Sequence, residues 1–141
     1  MKYFHNSKKK PLGFTLLEII IVVIIVGVMA TFGLPKYEVA VEKMRSQEGA
    51  NVLRALWGAQ KRYHLKNGIY TNDISNLDIT LPALENFTSL TVGAGGNFPI
   101  ASVQRNDSKY TYMLWVNANG DLYCVGDSLC TKLGYQEGAI R

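Results

Sequence analysis

Hydrophobic positions along the chain fall into three regimes. From Phe14 to Leu34 apolar residues run on with no period for 21 positions, and Glu18 is the only charge among them. A helix of that length, at about 1.5 Å per residue, spans about 31 Å, which is one bilayer core. Beyond Pro35 a period sets in: Ala50, Leu53, Leu56, Trp57, Gln60, Tyr63 and His64 recur at steps of three and four. That spacing predicts an amphipathic helix over residues 36–66, with Glu38, Glu42, Lys43, Arg45, Glu48, Arg54, Lys61 and Arg62 on its remaining positions. Asn67-Gly68 supplies a left-handed stop. If the two segments form one helix it is a rod of about 80 Å, more than a domain of this size can bury, so part of it must find partners elsewhere.

The third regime is irregular and then strand-like. Residues 67–99 read as a loop-rich connection whose Ile69, Ile74, Leu77, Ile79, Leu81 and Leu84 can tuck onto the helix. "KYTYMLWVNANGDLYCVG" then gives a strand rich in Tyr, Thr, Trp and Val, a turn at Asn119-Gly120, and a second strand carrying Cys124. Tyr110, Tyr112, Leu114 and Val116 lie opposite Met113 and Trp115, as expected for a strand covered on one side by a helix. The predicted class is α+β: a long N-terminal helix, apolar then amphipathic, packed on a small antiparallel sheet.

Charge sharpens this picture. The formal net charge of +4 comes from Lys2, Lys8, Lys9 and Lys10, all ahead of the apolar run; the other 11 basic residues balance 11 acidic ones. A basic tract in that place is a positive-inside signal, putting the N-terminus in the cytoplasm and the remainder across the membrane. Once the tract is set aside, the balanced charge gives no basis for nucleic-acid binding. Cys124 and Cys130, an even count in a region placed in an oxidising compartment, read as a disulfide, with two free thiols as the alternative. A zinc site would need further ligands that are not near in sequence.

In "KKKPLGFTLLE" the basic tract meets Gly13, Phe14 and, four residues on, Glu18; the apolar run then passes Gly27 and Gly33 to Pro35. This resembles the N-terminal region of type IV pilins and of the pseudopilins of type II secretion systems. The resemblance is close over residues 8–37 and holds in outline for the rest. It implies that residues 1–13 are a leader removed by prepilin peptidase between Gly13 and Phe14, and that Phe14 is then N-methylated. It implies that 14–35 form the transmembrane and polymerisation helix, 36–66 the helix of a head, and 67–141 a loop and sheet closed by a C-terminal disulfide loop.

The residues fit such processing: glycine permits close approach to a protease, and Pro11 keeps Leu12 extended. Glu18, an ionisable group inside a membrane helix, calls for a partner, and the resemblance supplies one in the new amine of Phe14, in the same chain or an adjacent subunit. Gly27, Gly33 and Pro35 weaken the helix where pilins of this type can unwind on packing.

The implied function is a structural subunit of a pilus-like filament. Its implied partners are itself, other pilins or pseudopilins, prepilin peptidase and an inner-membrane assembly platform. Its place is the inner membrane, single-pass with a periplasmic head, and then a pilus or periplasmic filament. A type II secretion pseudopilin is the nearest alternative, and a membrane-anchored periplasmic binding module the alternative outside the family. No catalytic constellation stands out: His5 lies in the leader, and His64 has no Cys, Asp or Glu at triad or ligand spacing. No cofactor is implied. "GAGG" at 93–96 lacks the Gly-Lys-Ser/Thr ending of a phosphate loop and reads as a turn. "NANGD" at 117–121 starts like a calcium loop but has Ser128 where an EF-hand puts glutamate, which leaves Asp121 and Asp127 as weak calcium candidates.

Overall fold

A computed structural model of the chain describes residues 13–93, 99–126 and 128–138. It divides into two compact units between Tyr37 and Glu38. A single helix, α1 (Leu16–Asn67), contributes to both. In the first unit every described apolar side chain of the run is exposed, Phe14 at 79%. No alternation separates a wet face from a dry one, which is the behaviour of a helix built for a non-aqueous surround.

In the second unit the period of three and four does its expected work. Ala50, Val52, Leu53, Leu56 and Ala59 of α1 are buried in one core with Ile100, Ala101, Val103, Tyr112, Leu114 and Val116 of a sheet. The sheet has five strands in sequence order: β1 (Ser89–Val92), β2 (Ala101–Asn106), β3 (Thr111–Val116), β4 (Leu122–Gly126) and β5 (Gln136–Glu137). On β3 the buried set is Tyr112, Leu114 and Val116, with Met113 and Trp115 half-buried on the other face. The helix stops as its sequence predicts, with Gly68 at φ 76° and its N–H donating to the His64 carbonyl at 2.8 Å.

Two expectations need correction. The connection read as loop over 67–99 contains β1, which pairs with β2 from Ser89↔Gln104 to Val92↔Ala101, and a 3-10 turn at Ile74–Asn76 capped by Asp73. The alternation in "SLTV" and "ASVQRN" is short and interrupted by polar residues, so it carries little signal without the partner strand. The sheet is also mixed rather than antiparallel throughout, because β5 runs parallel to β4.

That parallel pairing is made by a short connection. Parallel neighbours usually need a crossover of a dozen or more residues. Here a five-residue helix, α2 (Leu129–Leu133), turns the chain back, and Cys130 on it is bonded to Cys124 on β4 with Cα atoms 5.6 Å apart. Gly134, at φ 88°, ends α2 in the left-handed conformation, and the Gly138 N–H donates to the Cys124 carbonyl at 3.2 Å. Replacing both cysteines by serine is expected to cost about 2.4 kcal/mol by the chain-entropy relation for a seven-residue loop. The check is urea unfolding followed by tryptophan fluorescence, which reports this region because Trp115 stacks on Tyr123 at 4.5 Å and donates to the Gly138 carbonyl at 3.2 Å.

Candidate assembly site

The first described residues, Gly13 to Thr15, are non-helical and exposed. The lysines of the tract and Pro11 lie outside the described residues. Thr15 caps α1: the Glu18 N–H donates to Thr15 Oγ1 at 3.2 Å. Thr-x-x-Glu is the capping-box pattern, legible in the sequence but overlooked there; the bond present is the Thr15 half of the box, made to the backbone N–H at the third helical position. The carboxylate also stands at the positive end of the helix dipole.

Along the apolar segment α1 runs unbroken through Gly27 and Gly33. A Cβ added at either glycine would meet nothing within 4 Å, so neither is required by packing inside the chain. Thr31 Oγ1 donates to the Gly27 carbonyl at 3.0 Å, a competition with the helix ladder that favours bending. Pro35 has no N–H for the Thr31 carbonyl one turn earlier. The ladder is therefore weakened at two successive turns.

The second unit holds a polar cluster that sequence reading did not anticipate. Glu42 is 0% exposed and Arg105 6%, and Arg105 Nε donates to Glu42 Oε1 at 2.8 Å. The rest of the guanidinium is also engaged: Nη1 with the Asn86 carbonyl at 2.7 Å, and Nη2 with Asp107 Oδ2 at 2.7 Å. The Tyr112 hydroxyl donates to Glu42 Oε1 at 2.9 Å. One helix carboxylate thus holds β2, β3 and the loop before β1.

Burial, followed by the bond to Glu42, raises the Tyr112 phenol far above its ordinary range. Burial pulls Arg105 down, but the hydrogen bond and charge of Glu42 outweigh it and the guanidinium ends above its usual value. Asp107 is held below the ordinary carboxylate value, first by the Lys109 N–H and then by the Arg105 charge. Nearby, Lys109 Nζ binds Glu38 at 2.6 Å, and that hydrogen bond raises the ammonium.

Further along α1 the polar side chains bind the irregular segment. Gln60, fully buried, donates to the Thr71 carbonyl at 2.6 Å and accepts from the Thr71 N–H at 3.1 Å. Glu48 accepts from the Glu85 N–H at 2.7 Å and from Asn86 Nδ2 at 2.6 Å. Gly49 leaves room for the Phe87 ring, whose nearest carbon lies 2.6 Å from where a Cβ would stand. In the hairpin, Asn117 Oδ1 accepts from the N–H groups of Asn119 and Asp121, and its amide donates to Asp121 Oδ2 at 3.0 Å. Asp121 therefore serves the turn. Asp127, the other calcium candidate, lies outside the described residues, as do residues 94–96 of "GAGG". Among the described residues no group of three or more His, Cys, Asp or Glu is placed to hold a metal. His64 stacks on Tyr70 at 4.4 Å.

Comparison with known proteins agrees with the N-terminal pattern. A family model described as the prokaryotic N-terminal methylation motif matches residues 8–34. The chain is 36% identical over 73 residues to the type II secretion system core protein G of Vibrio cholerae, covering 52% of this chain and 50% of that one. It is 33% identical over 66 residues to the fimbrial protein EcpC of Eikenella corrodens, covering 47% and 43%. It is 34% identical over 72 residues to the core protein G of Aeromonas hydrophila, covering 51% and 50%. The matches thus span half or less of the relatives' lengths, and no solved structure matches the chain significantly. The N-terminus thus carries the prokaryotic methylation motif, and over about half its length the chain is similar to two type II secretion core proteins and a fimbrial protein.

Proposed function

We propose that the chain is a structural subunit of a pilus-like filament, cut between Gly13 and Phe14, N-methylated at Phe14, and assembled through residues 14–35. The observation that carries this reading is the first part of α1: an apolar surface exposed on every side, with one carboxylate in its first turn. In a bilayer that surface faces lipid. In a filament it faces other copies, and the amine exposed by cleavage meets Glu18. The softened turns at Gly27 and Thr31–Pro35 let the packed helix stretch. The inner membrane, with a cytoplasmic leader and a periplasmic head, is the starting place.

A pseudopilin of a type II secretion system is the second reading, supported by the two relatives named core protein G. Both readings share the same processing and the same use of the helix, and both give the head a structural rather than a catalytic part.

Intact-mass measurement of the protein extracted from membranes tests the processing. The expected species begins at Phe14 and carries one added methyl group. A species retaining Met1, or one cut beyond the apolar run, overturns the proposal.

A further inference from the structure

We infer that two oppositely charged flanks of the second unit are the two halves of a head-to-tail contact between successive copies of this chain. The inference rests on the filament reading above. Charge in this unit is segregated by segment: residues 38–66 carry six Lys or Arg against three Glu, whereas residues 67–104 carry Asp73, Asp78 and Glu85 and no Lys or Arg.

The fold places some of these charges apart, while Arg62 pairs with Asp78 and Lys66 lies beside it. At about 100° per helical residue, Lys43, Gln47, Arg54 and Lys61 fall within about 40° of one another on α1, while Glu48 lies about 140° from Lys43. The basic flank borders an open groove of about 380 Å³ lined by Lys43, Gln47 and Arg54 of α1 and by Asp121, Leu133 and Tyr135. Asp121, hydrogen-bonded by Asn117, keeps its charge there, so the groove lining carries two cations against one anion.

On the other flank Glu48 fixes the backbone at Glu85. Asp78 is neutralised by Arg62 at 2.8 Å, but Glu85 and Asp73 are exposed. Hydrogen bonds from Ser75 hold Asp73 below the usual carboxylate range and so keep it anionic.

This segregation discriminates between modes of association. A two-fold contact through either flank alone sets that flank against itself, like charge on like, which is repulsive. A head-to-tail contact sets the Lys43–Arg54 flank of one copy on the Asp73–Glu85 flank of the next, and such a contact, when it does not close into a ring, propagates an open helix. The occupant of the basic groove is thus the acidic segment of a second copy. Each pair is exposed and screened, but the contact repeats at every subunit.

The test uses the full chain in cells carrying its assembly machinery, with filaments sheared and quantified and processed protein measured by immunoblot. Lys43→Glu with Arg54→Glu, and separately Ala83→Lys with Glu85→Lys, are each expected to lower filament yield about tenfold at unchanged protein level. All four sites are exposed, and resistance of the head to protease checks that the variants fold. Combining the four substitutions restores complementarity with the signs exchanged and is expected to recover most of the yield. Wild-type filaments together with normal assembly of both pairs of substitutions, or no recovery in the combined variant, overturn the flank pairing alone. Absence of filaments from the wild-type chain overturns the filament reading itself.

Discussion

Glu18→Ala is expected to abolish filaments, or reduce them severely, while leaving cleavage at Gly13–Phe14 and membrane insertion intact. On the proposed cleavage Phe14 gains a cationic amine, and Glu18 is the only carboxylate between Phe14 and Leu34. Removing one partner of a buried ion pair typically costs about 3–5 kcal/mol, because the other charge is left alone in a poor solvent. On the proposed filament reading, pairing between copies sets the register: a subunit seated too high or too low leaves both charges unmatched.

The bond to Thr15 uses the backbone N–H of residue 18, which alanine keeps, but in a capping box the glutamate side chain also reaches back to the N-cap N–H, a second role to be separated from pairing. Glu18→Gln separates the two roles, because glutamine serves the third position of a capping box as glutamate does but carries no charge. If pairing with the amine is the essential role, the glutamine variant fails to assemble much as alanine does. If capping is, glutamine assembles normally and only alanine fails. A third outcome, normal filaments from the alanine variant at normal levels of processed protein, ends both accounts and leaves a carboxylate that merely reaches the membrane interface. Filament shearing with immunoblots of processed protein distinguishes the three.

How much of this was legible in the sequence depends on how far apart the interacting residues stand. The apolar run, the amphipathic period, the stop at Asn67-Gly68 and the hairpin at Asn119-Gly120 are all local patterns, and each is found in the structure. The Thr15–Glu18 cap is equally local, a Thr-x-x-Glu pattern at the head of the apolar run. What could not be read is non-local. Strand β1 is recognisable only beside β2, and β5 is a strand only because α2 returns the chain alongside β4.

The buried polar residues show the same limit. Glu42 sits among Lys43, Arg45 and Glu48 and reads as one more solvated charge on a helix. Its burial is decided by Arg105 and Tyr112, 63 and 70 residues away. Gln60 did fall on the apolar face by period, and the structure gives the reason: its amide holds the backbone of Thr71 rather than solvent. A polar residue at a core position of an otherwise regular period is thus a sign of a distant backbone partner.

Arg105→Met is the second change expected to have a large effect, destabilising the head by about 3–5 kcal/mol. Glu42, with no exposure, would keep only the Tyr112 hydroxyl and the partly exposed Arg45, whose Nη1 lies 3.3 Å away. The Asn86 carbonyl would also lose its Arg105 donor, and Asp107 would lose one of its donors and its charge partner. Glu42→Leu should cost a comparable amount by stranding the Arg105 Nε and the Tyr112 hydroxyl. A buried ion pair is weak support for stability when compared with apolar residues of similar volume. The triple variant Glu42→Leu, Arg105→Met, Tyr112→Phe should therefore recover much of what either single change loses.

Urea unfolding of the full chain in mild detergent measures this, because Trp57 and Trp115, the two tryptophans of the chain, both lie in the second unit and report its unfolding separately from the apolar helix. Trp57 donates to the Ala118 carbonyl at 3.2 Å beneath the β3–β4 turn, and Trp115 lies on the opposite face of the sheet from the buried residues, so the two sample both sides. Single changes costing under about 1 kcal/mol would mean that water reaches Glu42 and that the cluster is no more than a surface pair. Recovery in the triple variant, with filament yield still low, would show that the cluster serves to fix one arrangement of helix and sheet rather than to add stability, and that assembly depends on that arrangement.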